Sequence, residues 1–180
     1  VYSRQYYKKP HRFLANSSTL VEESTSNEDD VFDIYQVLWN SVVTQRFFID
    51  ARVGLNRIFF PTYLNGSDQT LLDSATNIRT RNYISGTERW RDRYQMNTTG
   101  NYYVDEALGG RHEFRFGADY SHMPVENRVV RHDDVDLTYN STTGLSQNVT
   151  LFGTPFYSKS ALDVLALYAQ DAITWNRLTV

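Results

Sequence analysis

The chain has 180 residues, yet it contains no cysteine, only four prolines and nine glycines, and no long apolar run. Without cysteine there is no disulfide framework of the kind that holds small secreted domains together, which fits a bacterial envelope protein or a cytosolic one. The longest apolar candidate, Val164 to Ala169, has six residues, far short of the ~18 that a spanning helix needs, so a helical membrane protein is excluded. An excess of charge of one sign is also lacking. The net charge of -3 and the lack of a basic patch interleaved with aromatics argue against a nucleic-acid partner. Val1 is followed by no charged and apolar leader pattern, and Leu178-Thr179-Val180 reads as the opening of a strand. Both ends are therefore expected to be cut points within a longer protein.

Catalytic signatures are absent as well. There is no nucleophile elbow, phosphate loop or dinucleotide fingerprint. His11, His112, His122 and His132 lie on different stretches, and no pair has helical zinc-site spacing. Neither a cofactor nor a metal is expected. The one weak catalytic pair is His122 with Asp119, and the chain is read as not being an enzyme.

Aromatics are what the chain does have: 13 Tyr, 10 Phe and 3 Trp. They recur with a period of two. In Arg111 to Met123, Phe114, Phe116, Ala118 and Tyr120 fall on one side, and Arg111, Glu113, Arg115, Gly117, Asp119 and Ser121 on the other. Alternation of that kind marks a strand with one apolar and one charged face. The same pattern runs through Phe47 to Phe59, where Phe47, Ile49, Ala51, Val53 and Leu55 oppose Asp50, Arg52, Gly54 and Asn56. Trp90 to Val104 alternates too, with Trp90, Tyr94, Met96, Tyr102 and Val104 against Arg91, Arg93, Gln95, Asn97 and Asn101.

Asp33 to Thr44 carries Tyr35, Val37, Trp39 and Val43 on one side. A tight turn at Thr44-Gln45-Arg46 would set Val43 opposite Phe47, Trp39 opposite Ala51 and Val37 opposite Val53. The turn Ala107-Leu108-Gly109-Gly110 leads to a pairing of Val104 with His112, which would bring Asp105 opposite Arg111. Ala161 to Trp175 is a further strand, and Val1 to Lys9 a short one. The turn Asn176-Arg177 would set Trp175 against Leu178, placing Leu165, Leu167, Ile173 and Trp175 on the apolar face.

Between these strands, Pro10 to Asp30, Phe60 to Arg89 and Pro124 to Ser160 read as long loops. Long and short connections therefore alternate strictly, so all short turns gather at one end. The fold class is all-β: an antiparallel up-and-down meander of about six or seven strands forming part of a large transmembrane β-barrel. Strand length agrees, since soluble strands usually stop near ~5–6 residues and a bilayer takes ~9–11. Aromatic girdles are expected from Phe47, Tyr102 and Trp175 on the turn side and from Tyr35, Phe59, Trp90 and Tyr120 on the loop side. Trp90 and Tyr102 would stand roughly 28 Å apart in height at ~3.3 Å per residue and a 45° tilt.

Two stretches resemble a known family. Leu167-Tyr168-Ala169-Gln170-Asp171-Ala172-Ile173-Thr174-Trp175, followed by Arg177-Leu178-Thr179-Val180, resembles the Y-x-Q-D … L-T-x segment in the barrels of TonB-dependent outer-membrane receptors. Gly110 to Tyr120 (GRHEFRFGADY) is similar to the G-x-H-x-[FL]-K-x-G-x-[DE] strand that precedes it there, in the style of the Oar-like branch. The resemblance implies a barrel of about 22 strands closed by a plug, lying in outer-membrane lipid of a bacterial cell and importing a scarce ligand (siderophore, vitamin, glycan or peptide) with energy from TonB. Residues 1–180 would then be one segment of that barrel, with the plug domain as a partner from the same protein. A passive porin, an adhesion or assembly barrel, and a soluble glycan-binding β protein are the competing readings.

The candidate ligand-binding residues on the polar face are Arg52, Arg91, Arg93, Arg115 and Asp119. The weightier expectation is that these arginines pair with Asp50, Glu113 and Asp119 or face the plug. Loops 60–89 and 124–160 are candidate ligand-contacting surface. His132-Asp133-Asp134-Val135-Asp136 lacks the glycine and distal glutamate of a calcium loop and reads as solvated loop charge, as does Glu28-Asp29-Asp30. The N-x-[ST] triplets at Asn16, Asn65, Asn97, Asn140 and Asn148 read as loop composition, because Asn97 lies mid-strand on the polar face.

Overall fold

The computed structural model describes residues 1–12, 21–107 and 109–180. It is an antiparallel meander. β1 (Tyr2–Arg12), β2 (Ser26–Thr44), β3 (Phe47–Leu64), the pair β6 (Gly86–Arg91) and β7 (Arg93–Ala107), β8 (Gly110–Val130), β11 (Phe156–Trp175) and β12 (Leu178–Thr179) lie side by side in that order. β6 and β7 share one register against β3, Phe59 facing Trp90 and Asn56 facing Arg93, and so act as a single strand interrupted at Asp92. The short turns at 45–46 and 176–177, with the one at 108–109 of which only Gly109 is described, all join strands at one end. Gly109 and Asn176 both have positive φ there, 84° and 50°, the backbone that two-residue hairpin turns demand. Leu108 lies outside the described residues.

The register fixes the faces. Val37 faces Val53 and Trp39 faces Ala51; Val104 faces His112; Trp175 faces Leu178. Two expected pairings are displaced. Thr44, not Val43, faces Phe47, because the register shifts between Val42 and Thr44 and leaves Val43 as the extra residue of a bulge. A second shift between Val104 and Ala107 takes Asp105 out of line with Arg111. Its carboxylate instead accepts from Arg46 at 3.1 Å.

Strands run well past the expected boundaries. Ser26 to Asp30 belongs to β2, 60–64 to β3, 86–89 to β6, 124–130 to β8 and 156–160 to β11. β2, β3, β8 and β11 span 19, 18, 21 and 20 residues, about twice what a bilayer needs. The added portions lack apolar alternation because neither face meets lipid once a strand leaves the hydrocarbon, so the period-two signal stops while the ladder goes on. Pro61 and Pro124 within β3 and β8 strengthen the loop-like reading of these stretches.

The remaining loops are not structureless. β4 (Thr70–Asp73) and β5 (Ile78–Thr80) from the second connection join β9 (Val135–Asn140) and β10 (Leu145–Leu151) from the third in a small sheet of order β10-β9-β4-β5. β4 and β9 are parallel, Thr70 facing Asp136 and Asp73 facing Tyr139. Asn82, fully buried, ties the base of this sheet. Its amide donates to the carbonyls of Gly66 at 3.1 Å and Asp68 at 2.9 Å, and its oxygen accepts from the backbone of Gly66 and Tyr83.

Among the described residues no large hydrophobic side chain is buried; apart from Pro61, the buried side chains are polar, including Asp30, Asn82, Thr99, His112 and Ser121. A soluble domain of this size would bury an apolar core. Here the apolar side chains form one continuous outer face instead. Tyr35, Val37 and Trp39 sit beside Val53, Ala51 and Ile49, then Tyr94, Met96 and Tyr102, then Phe114, Phe116, Ala118 and Tyr120, then Leu165, Leu167 and Ile173. Leu167 is 74% exposed and Val37 68%. Phe47 lies at 6.3 Å from both Tyr102 and Phe116 at the turn end.

The upper edge of this band is lower than the sequence suggests. Asp33, Arg57 and Asp92 form a charged row across the same face. Arg4 pairs with Asp33 at 2.5 Å, and Arg57 with Asp92 at 3.6 Å. Phe59 and Trp90, stacked at 5.1 Å, stand one step beyond that row on the loop side. Tyr35, Tyr94 and Tyr120 lie on its turn side. From Tyr94 to Val104 the band measures about 23 Å in height at ~3.3 Å per residue and a 45° tilt, close to the ~25 Å of outer-membrane barrels.

Candidate functional site

The polar face is the opposite side of the same strands, and its chemistry is set by which residues share a row. Arg52 faces Asn97, which faces Asp119, and the Asn97 amide donates to the Asp119 carboxylate at 3.3 Å. Arg115 lies between Asn101 and Gln170. One level up, Asp50 faces Thr99, which faces Gly117, which faces Tyr168. Tyr168 lies across Gly117 and meets the Thr99 hydroxyl at 2.6 Å. That aromatic cover over a glycine pins the register of three strands.

Arg91 faces Val125, and Arg93 donates to the Ser121 hydroxyl at 3.3 Å. The expected ion pairs do not form. Among the described residues no carboxylate lies within 4.0 Å of Arg52, Arg91, Arg93 or Arg115. Asp50 faces Asn40, whose amide nitrogen reaches it at 2.9 Å once the amide is turned to the orientation that satisfies both groups, and Glu113 accepts from the Tyr103 hydroxyl at 3.2 Å. The acids are engaged by neutral donors, and the arginines keep their charge unneutralised.

Arg89 was not among the expected site residues. It continues the Arg91–Arg93 alternation one step toward the loops and faces Asn127. Its signal was in Thr87-Glu88-Arg89-Trp90-Arg91-Asp92-Arg93, but starting the strand at Trp90 cut it off.

His122 and Asp119 sit on opposite faces. His122 meets Asp163 at 2.9 Å, and the Tyr120 hydroxyl donates to the same carboxylate at 2.8 Å, all on the apolar side. The weak catalytic candidate pair is therefore not assembled.

Of the two acidic runs, Glu28-Asp29-Asp30 is not solvated loop, whereas 132–136 stays partly exposed. Glu28 and Asp30 are 6% and 1% exposed because they lie within β2, clamped by Lys9 at 2.7 and 2.5 Å, with Arg12 also on Glu28. The carboxylates of 133–136 diverge. Asp133 accepts from Gln69 at 2.7 Å, Asp134 from the Thr154 backbone at 3.1 Å and Asp136 from Arg131 at 2.6 Å. They pin the loop sheet to its surroundings, and no metal-binding cluster occurs among the described residues. Asp73 is the other anchor. It accepts from Ser141 at 3.0 Å, Ala75 at 3.0 Å and Thr76 at 2.7 Å, and these bonds, led by that from Ser141, hold its carboxyl well below the usual range. Partial burial lowers the Arg79 guanidinium.

Of the N-x-[ST] sites, Asn16 lies outside the described residues. The Asn65 amide is committed to Thr25 at 2.8 Å, and Asn97 is on the polar face.

No family profile matches the chain, and no curated protein does. Among solved structures, the chain is similar to the crystal structure of the outer membrane transporter YddB from Escherichia coli, with a TM-score of 0.64 and 17% identity over 99% of this chain. The match covers 23% of that transporter's chain, so the present chain spans about a quarter of its length. At that identity the likeness is one of fold. The chain has the fold of a stretch of outer-membrane β-barrel wall.

Proposed function

We propose that this chain is part of the barrel wall of a bacterial outer-membrane receptor of the TonB-dependent kind, which binds a scarce ligand and imports it. The fold likeness to a solved outer-membrane transporter over 99% of the chain carries the reading. The Y-x-Q-D segment at 168–171 and the strand at 110–120 support it. The apolar face stands in lipid, and the polar face with Arg52, Arg91, Arg93, Arg115 and Asp119 borders a watery bore. Above the bilayer, the loop sheet of β4, β5, β9 and β10 is the surface a ligand meets first. A plug from the same protein and TonB are the partners this role requires.

The test is made on the full-length protein in its own cell. It should fractionate with the outer membrane and migrate anomalously on unheated gels as a closed barrel. Growth on the limiting ligand should fail when TonB is deleted. Uptake that persists without TonB would favour a passive porin, and recovery from the soluble fraction without detergent would overturn the membrane reading altogether.

A further inference from the structure

The strand formed by β6 and β7 sorts its charges by face. Glu88 and Asp92 point to the outer side, where each has a cation: Arg128 at 3.0 Å and Arg57 at 3.6 Å. Arg89, Arg91 and Arg93 point to the polar side, all three exposed, with no carboxylate within 4.0 Å of any of them among the described residues. The two acids nearest these arginines along the strand are turned away and paired elsewhere.

Arginine is costly to leave unpaired where water is restricted. Three successive same-face arginines also repel one another. Their neighbours on that face carry no charge. Arg89 lies between Phe60 and Asn127, whose amide donates to Ser158 at 3.3 Å; Arg91 faces Val125, with Ser160 beyond it in the row; and Ser121 accepts from Arg93. Same-face residues on a strand are ~6.6 Å apart, so the guanidinium groups form rungs over ~13 Å. Each presents a planar fork suited to a bidentate oxyanion.

We infer that Arg89, Arg91 and Arg93 form a binding ladder for a ligand carrying two or more oxyanion groups, carboxylate or phosphate, spaced to reach neighbouring rungs. The inference rests on the bore-facing assignment above. It adds the ligand class, a polyvalent anion, and the wall residues that hold it.

The test uses full-length protein purified in detergent, plug included, at low salt. Fructose, fructose monophosphate, fructose bisphosphate and citrate are titrated by calorimetry. The bisphosphate and citrate should bind, the monophosphate at least about tenfold more weakly, and fructose not at all. Arg91→Gln should weaken the bisphosphate about tenfold and the triple Arg→Gln variant abolish it; a triple Arg→Lys variant should retain part of the affinity. Arg57→Gln, on the outer face, should change nothing. Raising salt from about 20 to about 200 mM should weaken binding markedly.

Equal binding of fructose and its bisphosphate, or bisphosphate binding unchanged in the triple Gln variant, overturns the ladder. So does the absence of any anion binding by the wild type. If the triple variant instead makes the plug protease-sensitive with anion binding unaltered, the arginines serve the plug. Anomalous gel migration reports separately on the barrel, so failure of the ladder and failure of the barrel reading are told apart.

Discussion

Replacing Ala118 by arginine asks directly what solvates the apolar face. Ala118 lies mid-strand in β8, flanked on that face by Phe116 and Tyr120 along the strand and by Thr98 and Leu167 across it. No carboxylate is among these neighbours. His122 and His112 mark the ends of the apolar stretch, roughly 9 Å above and 14 Å below Ala118 at ~3.3 Å per residue and a 45° tilt. An arginine there stands near the middle of the hydrocarbon. Such a substitution on the lipid face of a membrane barrel costs ~2–4 kcal/mol, or roughly a 30- to 700-fold loss in folding equilibrium. On a water-facing sheet the same change would fall within about 0.5 kcal/mol. Ala166→Arg is the matched control, because Ala166 is on the polar face beside Asp119 and should be near neutral. The assay is urea-dependent folding of the full-length protein into vesicles. Equal stability of the two variants would refute the assignment of faces.

Other perturbations follow from the same geometry. Gly117→Ala would place a methyl group 2.4 Å from the Thr98 carbonyl oxygen and 2.6 Å from the Tyr168 hydroxyl; it should cost about 1–3 kcal/mol by overpacking, read in the same folding assay. Tyr168→Phe removes only the bond to Thr99 and should cost about 1 kcal/mol. Asp73 has a depressed folded-state pKa, so its contribution to the loop sheet is fully present above its unfolded pKa near ~3.9 and is lost as pH falls through the folded value. Amide exchange in 70–80 and 135–141 should therefore quicken on acidification well below pH ~4, and Asp73→Asn should quicken it at neutral pH.

The membrane-embedded part of this chain was legible because lipid on one side and water on the other impose a two-residue period. Phe47 to Leu55 and Phe114 to Tyr120 declare their faces and registers without coordinates, and the Trp39–Ala51 and Trp175–Leu178 pairings are as expected. Legibility ends where that contrast ends. Ser26 to Asp30, 60–64, 86–89 and 124–130 are strands with no hydrocarbon on either side, and their mixed composition reads as loop. Bulges at Val43 and at 105–106 shift the register by one residue, which no alternation of polarity records. The small sheet was hidden for a different reason. β4 and β9 come from separate connections and pair in parallel over four residues, a contact set by how two loops meet. On the polar face, the five named candidates are where alternation placed them, but their freedom from carboxylates depends on which acid each strand turns outward. That is a property of the folded rows.

The central claim is that the two faces meet different solvents. Because this chain has no cysteine of its own, single cysteines can be placed at each position from 113 to 121 in the full-length protein, spin-labelled in native outer membrane, and read for collision with oxygen and with a water-soluble nickel chelate. Labels at 114, 116, 118 and 120 should collide with oxygen and be shielded from nickel, and those at 113, 115, 119 and 121 the reverse. Nickel access at both sets of positions, or oxygen preference at the odd ones, would contradict the account.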